Sequence, residues 1–201
     1  MGSIRALCKH GILLKDGMVD YTGEVNDVVD RYILEYSLGN SNHCIITDKN
    51  RGSHLPKDLE IVEVFMKNDV NAVATDDTLH FELRIKCNNK KIKEFNIGML
   101  LSNAAMANVG TSVSPLLSCP GGDTMTVDMT VNGHNLAKGH YDVDFTVGLT
   151  DVSVGTRYYD VVEKVLAFDV EYKTRKGLEP YSLWPSIWGS HHLSSIDYSV
   201  R

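Results

Sequence analysis

Apolar and polar residues alternate with period two through most of the chain after residue 57. In TLHFELRIKC (78–87) every second side chain is apolar, and HYDVDFTVGL (140–149) repeats the pattern. Successive side chains of a strand point to opposite faces, so the alternation predicts strands with one buried and one wet face. Turn signals such as Asn132-Gly133 separate these runs. A single sheet cannot bury its own apolar face, so we predict a mostly β fold, an antiparallel β-sandwich of immunoglobulin or jelly-roll type.

The chain divides into three predicted parts. Residues 1–38 form a short αβ stub, in which a hairpin around Asp16-Gly17 precedes an amphipathic helix. Residues 39–57 are rich in Gly, Ser and Asn, which is typical of a linker. Residues 58–201 form the sandwich.

Composition excludes several function classes. The 201 residues carry a formal net charge of −6, whereas a duplex-binding protein needs a basic stripe to neutralise phosphates. The one basic run, Lys90-Lys91-Ile92-Lys93, is interpreted as a solvated hairpin tip, so we expect no nucleic-acid partner. No apolar run approaches the ~20 residues of a transmembrane helix. The four cysteines are widely spaced, which favours free thiols; we predict no metal site and no cofactor.

The first candidate site is a polar sheet face. Its carboxylate, guanidinium and imidazole groups suit sugar hydroxyls, which both donate and accept hydrogen bonds. The candidate glycan-binding residues of this face are His80, Glu82, Arg84, Asp128, Asp142 and Asp144. The alternative is an ordinary solvated face, because alternation alone requires polar residues there.

Aromatic side chains give further candidates, because sugar C–H faces pack on flat rings. Trp184 and Trp188 lie in a turn-rich stretch; they either contact a sugar or close one end of the sandwich. Tyr158 and Tyr159 are adjacent, so one ring faces inward and the other outward. The outward ring is the better candidate for glycan binding, and we select Tyr159 as that ring.

Catalysis is a weaker hypothesis. Asp142 and Asp144 share one strand face and could flank a glycosidic bond or, with Asp151 nearby, hold calcium. The spacing is also a by-product of alternation, and the chain has no nucleophile-elbow motif. We therefore expect no catalytic residues.

Two sets of motifs resemble a known family. LLKDGMV and GEVNDVVDRYI resemble the C-terminal edge of the ATP-binding domain of ABC transporters. DLEIVEV, FNIGMLLSN, NLAKGHYDVDFTVGL and VLAFDVE, as an ordered set, resemble the C-terminal polysaccharide-binding domain of the ATP-binding subunit of O-antigen exporters, the Wzt type. The resemblance implies that residues 1–38 are a remnant of the ATPase domain. The chain contains no G-x-x-x-x-G-K-[ST] phosphate loop, so ATP hydrolysis is expected of the parent protein and not of this chain.

The resemblance implies a function without catalysis. The domain would recognise a lipid-linked polysaccharide for export, at the cytoplasmic face of the bacterial inner membrane. Its partners would be the polysaccharide and, through the parent ATPase, the membrane subunit of the transporter. The alternative is a structural module that dimerises the ATPase or docks a partner without binding glycan.

The C-terminal tail predicts a homodimer. Ile196, Tyr198 and Val200 alternate with polar residues after a segment rich in Gly and Pro, so a final strand on a hinge could pair with a partner's sheet. The alternative is a tail that closes its own sandwich.

Light scattering on the full chain and on a version ending at Glu179 tests both possibilities. A monomeric full chain would exclude the dimer, and a truncated chain that stays dimeric would exclude the tail's role.

Overall fold

The structure is a computed structural model that describes residues 2–36, 39–51, 55–105, 107–119, 124–151, 155–171 and 189–191. Its first unit consists of α1 (Gly2–Leu7), β1 (His10–Lys15), β2 (Met18–Glu24) and α2 (Val25–Tyr36). Within these ranges no helix is long and apolar enough to cross a membrane.

The hairpin of this unit turns at Asp16 and Gly17, which both have positive φ, 49° and 78°. A two-residue turn of this kind matches the twist of paired strands, and it confirms the predicted hairpin. Helix α2 covers one face, where Val28 packs so closely over Gly11 that a Cβ there would lie 3.0 Å from it. Leu13 is buried on the same side.

The hairpin also carries uncovered apolar side chains. Ile12, Leu14 and Val19 are 59–63% exposed, and Leu14 and Val19 are cross-strand partners. A sheet with exposed apolar residues usually packs against a further layer. The assignment of this unit to an ATPase domain stays a prediction.

The remaining strands form two sheets that pack face to face. In chain order these strands are β3 (His43–Ile45), β4 (Leu59–Met66), β5 (Val73–Ala74), β6 (Leu79–Cys87), β7 (Glu94–Asn103), β8 (Asn108–Val113), β9 (Leu117–Ser118), β10 (Thr124–Val131), β11 (Gly139–Asp151) and β12 (Gly155–Glu171). The four-stranded sheet has the order β10-β6-β4-β3. The six-stranded sheet has the order β5-β12-β11-β7-β8, with β9 also paired to β7. Only the short β5–β12 pair is parallel among the described pairings.

The core lies between these sheets, as the alternation predicts. Leu79, Phe81, Leu83 and Ile85 of β6 are at most 1% exposed. The Phe81 ring meets the ring of Phe145, on β11 of the other sheet, edge-on at 5.4 Å between centroids. The predicted antiparallel β-sandwich with a short helical stub is confirmed.

Residues 39–51 differ from the expected linker. Ser41 donates its backbone N–H to the Ala167 carbonyl at 2.9 Å, and β3 pairs with β4 as an edge strand. Arg51, at the end of a 3₁₀ turn (Asp48–Asn50), is buried with only 6% of its side chain exposed. The composition of this segment predicts a loop, but the Ser41 backbone, strand β3 and the Arg51 guanidinium all form hydrogen bonds with the sandwich.

Asp160 joins the sheets. This residue of β12 is 1% exposed, and its carboxylate accepts from Arg51 Nε at 3.1 Å and from the Ile61 backbone N–H of β4 at 2.9 Å. Arg51 Nη2 also donates to the Ile61 carbonyl at 2.7 Å. One carboxylate therefore binds the backbone of the opposite sheet and holds the 39–51 segment against both.

All four cysteines are unpaired in the structure. The sulfur atoms of Cys87 and Cys119 lie 3.2 Å apart, where the end of β6 meets the residue after β9. Cys119 is buried and Cys87 half-buried; burial raises the pKa of the Cys87 thiol. A raised pKa keeps the group protonated and unreactive near neutral pH.

The Asp160 contacts generate a stability prediction. Asp160→Ala should lower the free energy of unfolding by about 3 kcal/mol, because it leaves the buried Arg51 guanidinium with Glu60 as its remaining carboxylate partner and the Ile61 N–H without its acceptor. Urea denaturation followed by circular dichroism measures the change.

The matched control is Asp128→Ala, which removes an exposed aspartate and its ion pair with Lys67. It should leave the denaturation midpoint essentially unchanged, because water screens exposed pairs. If Asp160→Ala lost only about 1 kcal/mol, the ordinary scale of point substitutions, the inter-sheet role of Asp160 would be wrong.

Candidate functional site

The six predicted polar residues lie on two opposite faces, so the prediction that they share one surface is wrong. His80, Glu82 and Arg84 belong to β6, and Asp128 of β10 is paired directly with Glu82, all in the four-stranded sheet. The other two, Asp142 and Asp144, belong to β11 in the six-stranded sheet. Alternation determines which residues point outward, but it does not determine which sheet a strand joins.

The outer face of the four-stranded sheet is a network of paired charges. Lys67 Nζ contacts Glu82 at 3.0 Å and also binds Asp128. Its hydrogen bond to Asp128, then that to Glu82, raises the Lys67 pKa, so the ammonium stays charged at neutral pH. Both carboxylates proposed for sugar hydroxyls thus already have a cation, while His80 is exposed.

A second group on this face surrounds Glu63. Arg84 Nη1 donates to its carboxylate at 2.7 Å and His43 Nε2 lies 2.9 Å away; the Arg84 bond, then that of His43, lowers the Glu63 pKa. The His43 ring stacks on Phe65 at 4.0 Å between centroids and 3° between planes. Sequence analysis missed this aromatic pair, because β4 alternates poorly around its bulge between Ile61 and Glu63.

The outer face of the six-stranded sheet contains a groove of about 330 Å³, at the lower end of the volumes of small-ligand sites. Strands β7, β8, β11 and β12 all contribute to it. We call it the β11 groove; it is lined by Asn96, Gly98, Met99, Leu100, Thr111, Val113, Thr146, Gly148, Thr156 and Tyr158.

Two glycines form the floor of the β11 groove. A Cβ on Gly148 would lie 2.5 Å from the Arg157 carbonyl oxygen, so the backbones of β11 and β12 approach too closely there for any side chain. A Cβ on Gly98 would lie 2.4 Å from Thr146 Oγ1, so the threonine hydroxyl occupies the space above that glycine. Glycines inside NIGML and TVGLT were the sequence signal for this depression, and sequence analysis did not use it.

Tyr158 provides the exposed ring of the groove, and the selection of Tyr159 is wrong. Tyr158 is 44% exposed, whereas Tyr159 is 3% exposed and packs in the core. The register between β11 and β12 shifts at Val147 and Gly148, and Gly148 pairs with Tyr158. The shift decides which tyrosine faces outward, and period counting along one strand cannot detect it.

Asp144 lies beside the groove on the same sheet face. It is cross-strand partner to Leu100, a lining residue, and its Oδ1 accepts the Lys164 backbone N–H at 2.6 Å. Burial raises the pKa of the Asp144 carboxyl. A partly buried carboxylate with a free side is a strong acceptor for sugar hydroxyls.

Asp142 is less accessible. It is only 4% exposed, burial raises its pKa, and its Oδ1 has no hydrogen-bond partner in the described part of the chain. His140 Nε2 lies 3.8 Å from it, while His140 Nδ1 pairs with Asp169 at 2.8 Å. A carboxylate so enclosed cannot reach a polymer bond, so the Asp142–Asp144 pair does not form an open two-carboxylate site.

Two predicted residues, Trp184 and Trp188, lie outside the described residues, as does the C-terminal strand. Among the described residues, no group of three or more His, Cys, Asp or Glu side chains could hold a metal ion.

Two other depressions are larger and chemically different. One of about 530 Å³ lies between Arg5 and Asp30 of the first unit and the loops around Asn103 and Lys138. Its tyrosine, Tyr141, is 1% exposed, and that hydroxyl donates to the Ala137 carbonyl at 2.8 Å. The other, about 490 Å³, has charged walls that include Asp58, Lys91, Lys93, Glu94 and Arg157. Neither combines an exposed ring with uncharged hydrogen-bonding groups.

Comparison with solved structures shows the fold. The crystal structure of the C-terminal domain of wzt matches with a TM-score of 0.53 at 13% identity, covering 71% of this chain and 84% of that one. A β-glucosidase from Listeria innocua in complex with glucose aligns with a TM-score of 0.35 at 16% identity, over 65% of this chain and 22% of that one.

A search of curated protein sequences gave no match. The family model for the Wzt C-terminal domain matches residues 57–179, which is more than half of the chain and spans both sheets of the sandwich. The chain therefore belongs to the Wzt C-terminal domain family.

Proposed function

We propose that this chain recognises a polysaccharide in the β11 groove and does not transform it. Membership of the Wzt C-terminal domain family supports a role in the polysaccharide export transporter. The observation that carries the finer proposal is the exposed Tyr158 ring beside threonine hydroxyl groups over a glycine floor. An aromatic ring packs on the apolar face of a sugar, and the surrounding hydroxyls select its orientation.

The two outer faces differ in what a glycan would have to displace. On the four-stranded sheet it would compete with ion pairs of Lys67 and Arg84 that are already formed. In the β11 groove, Thr146 and Tyr158 present hydroxyl groups, and Asp144 adds an acceptor whose other bond goes to the backbone. The groove is also concave, so it can remove more of a sugar's surface from water than the face of paired charges.

Within the transporter, the proposed partners are the polysaccharide and, through a parent ATPase, the membrane subunit. The site of action would be the cytoplasmic face of the membrane. Homodimerisation through the C-terminal strand remains part of the proposal.

Docking is the second candidate function, and a different observation favours it. The hairpin residues Ile12, Leu14 and Val19 are exposed and apolar, as expected of a surface that meets another protein layer. This surface lies on the first unit, so docking there and glycan recognition on the sandwich can coexist.

Because the candidate residues lie on the outer faces of two different sheets, substitutions can show which face binds the glycan. Tyr158→Ala should weaken binding of the source organism's own surface polysaccharide about tenfold or more, the scale of an aromatic hot spot. Asp144→Asn should weaken it less, because the amide keeps an oxygen for the Lys164 N–H but loses the charge-assisted bond to the sugar. Affinity electrophoresis or calorimetry gives the ratio.

Arg84→Ala is the matched control, since it removes a polar side chain from the opposite face. It should bind normally, and all three variants should keep the parent melting temperature. Loss of binding in Arg84→Ala with retention in Tyr158→Ala would move the site to the four-stranded sheet.

A further inference from the structure

We propose that the β11 groove selects uncharged sugar residues and rejects acidic ones. This inference rests on the proposed glycan site and adds the chemical class of its ligand. The polar groups that line the groove are the hydroxyls of Thr111, Thr146, Thr156 and Tyr158 and the buried Asn96 amide, whose nitrogen already donates to the Ser114 carbonyl at 2.8 Å. A hydroxyl or amide can both donate and accept, which matches a neutral sugar hydroxyl in either orientation.

A carboxylate lies next to the lining on this strand face. Asp144 precedes Thr146 by two positions on the outward side of β11, opposite Leu100. Burial is the main cause of its raised pKa, and the neighbouring charges of Glu163 and Asp142 add to the rise. A ligand carboxylate or phosphate would lose water and meet these like charges at the same time.

The nearby lysine offsets this negative charge only in part. The Lys164 ammonium lowers the pKa of both Asp142 and Asp144, and its charge is therefore shared between two carboxylates. Arg157 is adjacent to Tyr158 in sequence, but its guanidinium lies 5.6 Å from the centre of the Tyr159 ring and 3.9 Å from Asp58.

That arginine belongs to the depression with charged walls, together with Lys91 and Lys93. An acidic sugar should therefore accumulate weakly at that depression, away from the β11 groove. A neutral sugar should instead stack on Tyr158 and donate a hydroxyl to Asp144, a charge-assisted bond that an uncharged ligand forms without repulsion.

The test is a titration of the ¹⁵N-labelled full chain, read by NMR at constant ionic strength. The probes are methyl β-glucopyranoside, methyl α-mannopyranoside and methyl β-galactopyranoside, each against the methyl glycoside of its uronic acid, and methyl β-glucopyranoside 6-phosphate. Each pair keeps the ring and changes only C6. At least one neutral sugar should shift the amides of Gly98, Thr146 and Gly148, with its acid at least about tenfold weaker there.

Two results would overturn the inference: an acid that shifts these groove amides as strongly as its neutral partner, or three neutral sugars that leave them unmoved. Shifts confined to Lys91 and Lys93 on adding an acid are the expected behaviour of the charged depression. Asp144→Asn should reduce the ratio of neutral-sugar to acidic-sugar affinity, because it should raise the affinity of the acidic sugars for the groove by about threefold or more. Arg84→Ala should leave the preference unchanged.

The result can be separated from the proposed function. If acidic sugars bind the groove and Tyr158→Ala still abolishes polysaccharide binding, the glycan site stands and the ligand class is wrong. If Tyr158→Ala binds the polysaccharide normally, the site itself is wrong, whichever sugar moves the amides.

Discussion

The carboxylate of Asp160 is the contact on which the arrangement of the sandwich depends. It carries a hydrogen bond from β12 to the backbone of β4 in the opposite sheet and an ion pair to Arg51. Apolar packing between sheets, such as Phe81 on Phe145, is strong but tolerates sliding, whereas a buried charge with fixed partners does not. The sheet positions, and with them the surface that β12 and β11 present outward, follow from this fixed point.

Sequence reasoning predicted the strands and their buried sides, because period two is a local property. It did not predict the pairing of distant strands, so Asp128 and Asp144 were assigned to one surface although they lie on opposite faces of the molecule. The choice between Tyr158 and Tyr159 failed for a related reason. A one-residue register shift at Val147 and Gly148 changes what lies opposite each tyrosine, and nothing in the strand's own composition records it.

The two outer faces show two ways of placing polar groups on a sheet. On the four-stranded sheet, Lys67, Arg84 and their carboxylate partners neutralise one another. On the six-stranded sheet, Thr146 and Tyr158 line a depression whose lining forms no ion pair within the described residues, and Asp144 lies at its side. The number of charged residues alone would favour the four-stranded sheet as the glycan site. The free-energy cost of separating those charges from their partners favours the six-stranded sheet.

The contact at Gly148 distinguishes the fixed floor of the β11 groove from the rim residues that can be exchanged. Any side chain there would collide with the β12 backbone, so the depth of the depression is tied to the integrity of the fold. Four exposed residues form its rim, Thr111, Val113, Thr156 and Tyr158, and exchanging an exposed side chain disturbs packing little. A domain built this way can change its sugar specificity by substitutions at the rim alone, while the paired β11 and β12 backbones beneath keep their conformation.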